Sequence, residues 1–596
     1  MKHLLQHFKT LTKHPQNAEE LKGLILQLAI QGKLTENWRQ ENPNVESASN
    51  LLKRIKAEKQ KLIEDKIIKK ARESGEIDVS EKFEIFPLNW EQAKLVDLGF
   101  STKLAGFENS KYVRLKDEGE VPVIMARNIR KNKIKEEKVK YIDLKTSLLL
   151  ERSALTKPSL LITSIGAGIG DVAIFDKEER WHLAPNTAKV ELFNEHNENL
   201  NIVYVLYYLL SPIGQKEIFK SVTTTAQPSL ATKAIRDVIV GIPPLEEQKA
   251  IVAIVDELFK EVEQLEEQTK NSIQLKEDFV TSALQRLTEA DNIYEEWQFL
   301  QTHFTEFFTE KSTIKQLRET LLQLAVQGKL TSNWRATNYS SLGGGAEGGG
   351  GIEPASELLK RIQTEKKALI AQKKVKKEKP LPPIEDHEKP YDLPKGWVWC
   401  RFQDLMKDLR YGTSKKCDYN LGNNPVLRIP NISNGRIDFE DIKSTNLSDK
   451  ELRDLSLLNN DLLLIRSNGS VALVGRSAVV ENIDDGYSFA GYLVRVRVFK
   501  DYISSRFLHL ILESPSIRKS IEGPIRTTSG VKNINSTEIS QLVFAIPPLE
   551  EQKAIVKKVN SLMALCDSLE EHIENSQTHI EQLMQSCLRE VFENSN

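Results

Sequence analysis

The string IPPLEEQKAIV stands at Ile242–Val252 and again at Ile546–Val556, 304 positions further on. Eleven identical residues in a row do not recur by chance. The chain is therefore built from a duplicated unit, and a duplicated unit calls for a pseudo-two-fold arrangement. Other pairs fall into step with it. LQLAIQGKLTENWR at Leu26–Arg39 matches LQLAVQGKLTSNWR at Leu322–Arg335, an offset of 296, and His7 and Phe8 face His303 and Phe304 at the same offset. ASNLLKRIKAEKQKLI from Ala48 matches ASELLKRIQTEKKALI from Ala355. The offset there is 307 because the second copy carries the run Leu342–Gly351, whose glycines read as a flexible linker.

Between these matched edges the copies diverge. PVIMARNIRKNKI from Pro122 lies over PVLRIPNISNGRI from Pro425, and LLITSIG from Leu160 over LLLIRSNG, with Ser164 over Ser467. Fixed edges around variable centres describe a frame carrying two different readers. The centres, roughly Ile85–Gly241 and Tyr391–Ala545, hold short β-rich runs broken by Gly, Asn and Asp, plus helix-like runs at Ile202–Leu210 and Ser504–Leu512. They read as two α+β globules on a helical frame.

After each IPPLEEQ a long helix is expected, its prolines suiting a first turn and its two glutamates the positive end of the dipole. Steps of four and three from Ile555 give Val559, Leu562, Cys566, Leu569, Ile573, Ser576, Ile580, Leu583 and Cys587, an a/d heptad seam with one polar break. The first copy gives Ile251, Val255, Leu258, Val262 and Leu265, then polar Thr269, Ser272 and Lys276, then Phe279 and Ala283. Each helix thus has the other as a partner, forming a rod of roughly 50 Å. On this register Cys566 and Cys587 are packing residues. The matching LQLAxQGKLT pieces place the N-terminal segment beside the C-terminal helical region, a circularly permuted object with its ends close together.

Eighty-three basic and 84 acidic side chains nearly cancel, so net charge names no partner. No apolar run suits a membrane span, no signal peptide is evident, and four cysteines without ligand spacing fit a reducing cytoplasm. GAGIGD at Gly166–Asp171 is followed by another strand-like run and reads as a hairpin turn rather than a phosphate loop. No nucleotide-binding, protease, methyltransferase or nuclease pattern stands out. His182 and His509 read as satisfied domain residues.

What remains are polar and basic loops in the variable globules. In the first these are Arg127, Asn128 and Arg130 after a strand, Thr163 and Ser164 at the hairpin, and Thr224 and Gln227 in a polar run. In the second they are Arg410 and Tyr411, Arg428 and Asn431 after the equivalent strand, Arg466, Ser467 and Asn468 at the hairpin, and Arg526, Thr528 and Lys532 before the last strand. Arg, Asn and Gln can pair with guanine and adenine edges, and Ser, Thr and Lys can hold phosphates. The Lys-rich stretches Lys53–Lys70 and Lys360–Lys379 fit either a phosphate clamp or a solvated helix.

Two variable globules, each closed by PPLEEQ, on paired long helices in a permuted order: this resembles the specificity subunit of type I restriction–modification systems, over nearly the whole chain. LPKGW at Leu393–Trp397 agrees, while the first copy departs from the pattern with FPLNW at Phe86–Trp90. The resemblance implies an α+β fold, with two α/β target recognition domains separated by long antiparallel paired helices in a circular pseudo-two-fold arrangement. Its parts would be an N-terminal helical part (1–40), a basic linker (41–84), the first recognition domain (85–243), a helical spacer (244–337), a Gly- and Lys-rich linker (338–390), the second domain (391–547) and a C-terminal helix (548–596). Each domain would read one half of a split, asymmetric site on double-stranded DNA. Two methylation subunits and the restriction subunits would be its partners, and they would hold S-adenosylmethionine, ATP and Mg²⁺, with no cofactor or metal and no catalytic residue in this chain. The competing reading is a duplicated coiled-coil adaptor that reads no DNA.

Overall fold

The computed structural model describes residues 17–69, 77–166, 168–194, 198–220, 229–290, 292–339, 352–523, 526–528 and 531–593. The chain divides into two compact units. One holds residues up to Ser272 together with Gln577 onward, and the other holds Ile273–Ser576. Two 45-residue helices, Leu245–Glu289 and Leu549–Glu593, contribute to both. At ~1.5 Å per residue each is ~67 Å long, longer than the seam alone suggests.

Each unit is built on a helical packing of three segments. In the first, Leu21, Leu24, Ile25 and Leu28 of helix Asn17–Ile30 share a core with Ile251, Val255 and Val262, and Leu583 packs against it. The C-terminal stretch thus belongs with the N-terminal helix, as the permuted order requires. In the second, Val280, Ala283, Leu284 and Leu287 share a core with Ile314, Leu317, Leu321 and Leu324 of helix Lys311–Val326, and with Leu562, Cys566, Leu569 and Ile573. The heptad register therefore holds, but a third helix joins the pair. Ion pairs line its edge: Lys311 to Glu574 at 2.6 Å and Arg318 to Asp567 at 2.6 Å. Within Leu245–Glu289 the seam is buried at both ends and not at Thr269, Ser272 and Lys276, where Leu275 is exposed. The Cys587 side chain, His7, Phe8 and the Gly-rich run lie outside the described residues.

The globules repeat one topology despite their divergent sequences. The first has an antiparallel sheet ordered Gly99–Lys103, Thr187–Leu192, Ser159–Thr163, Val172–Phe175, and a second ordered Lys140–Ile142, Val121–Ile124, Trp181–Leu183, Ala154–Leu155. In the second globule Met406–Tyr411, Leu493–Val498, Leu462–Ile465 and Ser477–Val479 reproduce the first sheet, and Lys443–Thr445, Asn424–Leu427 and Ser488–Phe489 most of the second. Val121–Ile124 runs parallel to Trp181–Leu183, and Asn424–Leu427 parallel to Ser488–Phe489. The Gly166 hairpin joins antiparallel neighbours, as its sequence suggests. Each globule begins and ends on one strand pair, Glu91–Lys94 with Ile239–Ile242 and Val398–Arg401 with Val543–Ile546. Adjacent ends make each globule an insert in the frame.

The Lys-rich stretches begin as helices packed on their own unit. Ala48, Leu51 and Ile55 are buried, Lys59 pairs with Asp97 at 2.7 Å, and Arg54 reaches the Glu198 carbonyl. Ala355, Leu358 and Ile362 do the same in the second copy, where Lys366 bonds the Gln403 carbonyl.

Candidate functional site

The repeated motifs converge. Glu247, second glutamate of the first PPLEEQ, is fully buried. Its carboxylate accepts from the Thr35 hydroxyl at 2.8 Å, the Arg39 guanidinium at 2.6 Å and the Trp90 indole N–H at 3.1 Å. In the second copy Glu551 is equally buried and accepts from Thr331 at 2.7 Å, from Arg335, and from Trp397 at 2.9 Å. The GKLTxNWR turn, the lead-in tryptophan and the long helix are thus tied at one carboxylate. A buried charge is tolerated only where it is paired and hydrogen-bonded, and both oxygens here are used. Only the first glutamate of each motif keeps the exposed, dipole-facing role expected of both, Glu246 pairing with Lys249 and Glu550 with Lys553, each at 2.7 Å.

The neighbouring glutamine makes a second tie. Gln248 donates to the Pro243 carbonyl at 3.0 Å and accepts from the Asn201 N–H at 2.9 Å, at the cap of helix Ile202–Leu210. Gln552 bonds Pro547 and Ser504 in the same way. The turn glycines complete the joint. Gly32 and Gly328 have φ of +68° and +70°, and a Cβ on Gly328 would meet Trp397 at 2.8 Å and Pro394 at 2.9 Å. FPLNW therefore does the work of LPKGW: Pro87 lies against Gly32 and Trp90 reaches the carboxylate. The motifs that mark the duplication are joints between frame and globule.

The loops carrying Arg127 and Asn128, and Arg428 and Asn431, leave the carboxyl ends of strands in the parallel pairs. Arg127 is exposed and donates to the Lys138 carbonyl. Asn128 is buried, its amide bonding the Lys135 and Glu137 carbonyls and accepting from the Met125 N–H. Asn431 does the same with Asp438, Asp441 and Arg428. These asparagines shape the loop, a correction to the expectation that their amides face bases. Lys131, Lys133, Lys135 and Lys138, not singled out from sequence, are exposed around the hairpin that carries Arg130. The alternating basic run RNIRKNKIK was the available signal. Thr163 and Ser164 are fully buried, and their hydroxyls have no partner among the described residues. Thr224 and Gln227 lie outside the described residues.

In the second globule Arg410 pairs with Asp454 at 2.6 Å, and Arg428 with Asp441 at 2.7 Å. Hydrogen bonds from Tyr419 and then Arg428 hold the Asp441 carboxyl below its usual range. Both arginines are thus engaged by carboxylates here. Arg466 stacks over the Tyr411 ring at 4.5 Å, and the Tyr411 hydroxyl accepts from the Ser536 N–H. Ser467–Asn468, Val531–Asn533 and Arg526–Thr528 form one small sheet that brings together Ser467, Asn468, Lys532 and the backbone of Arg526 and Thr528. The sequence-predicted residues of this globule therefore fall into two groups, one around Arg466 and that sheet and one around Asp441. No cluster of metal-ligating side chains occurs among the described residues.

Residues 87–275 and 394–577 match the family described as type I restriction modification DNA specificity domain. The chain is 30% identical over 572 residues to the type I restriction enzyme EcoAI specificity subunit of Escherichia coli, covering 92% of this chain and 90% of that one. It is 27% identical over 590 residues to the EcoEI specificity subunit of the same organism, covering 94% and 91%. Among solved structures, the HsdS subunit from Thermoanaerobacter tengcongensis aligns over 86% of this chain and 98% of its own at 14% identity, with a TM-score of 0.34.

Proposed function

We propose, for a chain that belongs to the type I restriction–modification DNA specificity family, that its two globules each read one half of a split site on double-stranded DNA. The observation that carries this reading is the contrast between joint and loop. The same buried-carboxylate joint fastens both globules to long helices, whereas the loops at the parallel strand ends differ in chemistry. A mount repeated in both copies beneath tips that differ is what a two-headed reader requires.

In this reading the exposed Arg127, Lys131, Lys133, Lys135 and Lys138 supply sequence-blind phosphate contact. Arg466 on Tyr411 offers a guanidinium fork suited to guanine, set by the ring beneath it. The helices set the gap between half-sites. The frame also carries the methylation subunits, two per chain by its internal duplication, and restriction subunits join that core. S-adenosylmethionine, ATP and Mg²⁺ belong to those partners, the chain breaks no bonds itself, and the complex works in the cytoplasm. Single-molecule methylome sequencing of cells carrying the complete system tests the reading. A motif of two short specified blocks around unspecified bases supports it, and a continuous motif or none refutes it.

A further inference from the structure

The first globule has a pocket of about 290 Å³ where its two parallel strands end. Val113, Leu115, Val123 and Met125 give it apolar walls, and His182 and Asn186 also line it. It lies between the candidate loops: Met125 leads into Arg127, and the Asn186 carbonyl accepts from the Ser164 N–H at 2.9 Å.

The polar groups there are left unused. His182 is fully buried. Arg180 Nε donates to the Ser147 hydroxyl at 2.9 Å, and that hydroxyl lies 3.3 Å from His182 Nδ1, where either group can donate. Burial, then the cations Arg180 and Lys189, lower the imidazole pKa to about 4, so the ring is neutral near pH 7, with one nitrogen a donor and the other an acceptor. His182 Nε2 and Asn186 Oδ1 are both buried without a hydrogen-bond partner among the described residues. Buried polar atoms cost free energy when left unpaired, and native folds rarely keep two in one apolar place. In the second globule Ser488 stands where His182 does, on the strand parallel to Val426, and its hydroxyl bonds the Pro425 carbonyl at 3.2 Å. The unmet pair belongs to one reader only.

We propose that this pocket takes a single nucleobase of the first half-site, turned out of the helical stack. The inference rests on the DNA-reading function above. The Watson–Crick edge of every nucleobase sets a hydrogen-bond donor beside an acceptor and so can partner both His182 Nε2 and Asn186 Oδ1, while apolar walls suit its faces. The volume lies at the small end for ligand pockets and suits one ring system. A thymine methyl reaching in from an intact duplex would leave both polar groups unmet.

The test uses the full chain and duplexes of its methylome-defined site, with 2-aminopurine placed in turn at each position of the first half. Unstacking raises the fluorescence of this probe. One position is expected to brighten several-fold on binding, and none in the second half. His182→Phe, which removes Nε2, and Leu115→Trp, which obstructs the pocket from its half-exposed rim, should each abolish that rise and weaken discrimination at the same position. Recognition of the second half should persist in both, which shows that the variants are folded. Specific binding with no brightened position, or brightening that survives both variants, overturns the pocket proposal while the two-headed reading stands. Loss of preference for either half in the unaltered chain overturns that reading, and the pocket proposal with it.

Discussion

Removing the Glu247 carboxylate should loosen one globule and spare the other. Glu247→Ala leaves the Arg39 guanidinium, the Trp90 indole N–H and the Thr35 hydroxyl facing a void. Stripping one partner from a buried ion pair costs about 3–5 kcal/mol. The Arg39 side chain is 19% exposed, so water recovers part of its solvation and the lower end applies. The orphaned indole adds about 1 kcal/mol, not fully additive in so tight a cluster. A net of about 3–4 kcal/mol raises the local opening equilibrium several-hundredfold, at roughly 1.4 kcal/mol per tenfold. Hydrogen exchange read by mass spectrometry measures this directly. Amides of Glu91–Lys94 and Ile239–Ile242, the strand pair closing the first globule, should exchange some hundredfold faster. Those of Val398–Arg401 and Val543–Ile546 should hold their rates. Glu247→Gln should fall between, keeping an acceptor but losing the charge. Arg39→Ala combined with Glu247→Ala should recover part of the loss, since no unpaired charge then stays buried. Rates changed only a few-fold, equal loosening of both globules, or strict additivity in the double variant would refute the joint.

Gly328→Ala should lower the thermal midpoint by forcing a side chain into positive φ against Trp397 and Pro394, whereas Gly23→Ala, with open space in mid-helix, should raise stability by about 0.5–1 kcal/mol; calorimetry of both variants checks the contrast. His182 is held below its ordinary 6.5, at about 4, so its neutral form supports the fold fully above pH 6.5 and that support drains away as pH falls toward 4. The loss amounts to about 3 kcal/mol, and His182→Gln should flatten the denaturant midpoint against pH across that window; an unchanged slope counts against a buried neutral imidazole. Four residues inserted near Thr269, where the seam is unburied, should change the gap in the methylated motif and leave both half-sequences alone. Altered half-sequences with an unaltered gap would end the ruler idea.

The duplication, the two globules and the long helices were legible because they rest on identity and periodicity, which are local signals. The joint was not. Thr35, Arg39, Trp90 and Glu247 are separated by up to 212 positions, and nothing local distinguishes a buried glutamate from a dipole-facing one. The clue lay in recurrence: each has a twin in Thr331, Arg335, Trp397 and Glu551. Recurrence misled at Asn128 and Asn431, where matched positions suggested matched readers. A residue kept in both copies of a divergent centre shapes the common loop, and readers are sought where the copies differ, as at His182 against Ser488. Engagement of Arg410 and Arg428 by carboxylates was equally unreadable, because Asp454 and Asp441 reach them only through tertiary packing.

The central claim is that interchangeable mounts hold two independent heads. The most direct measurement is the methylated motif of cells in which Glu91–Ile242 is exchanged for the corresponding strand-to-strand segment of a relative, with Thr35, Arg39, Trp90 and Glu247 left in place. The account predicts that one half of the motif changes while the other half and the gap are retained. A change in both halves, or in the gap, would contradict it.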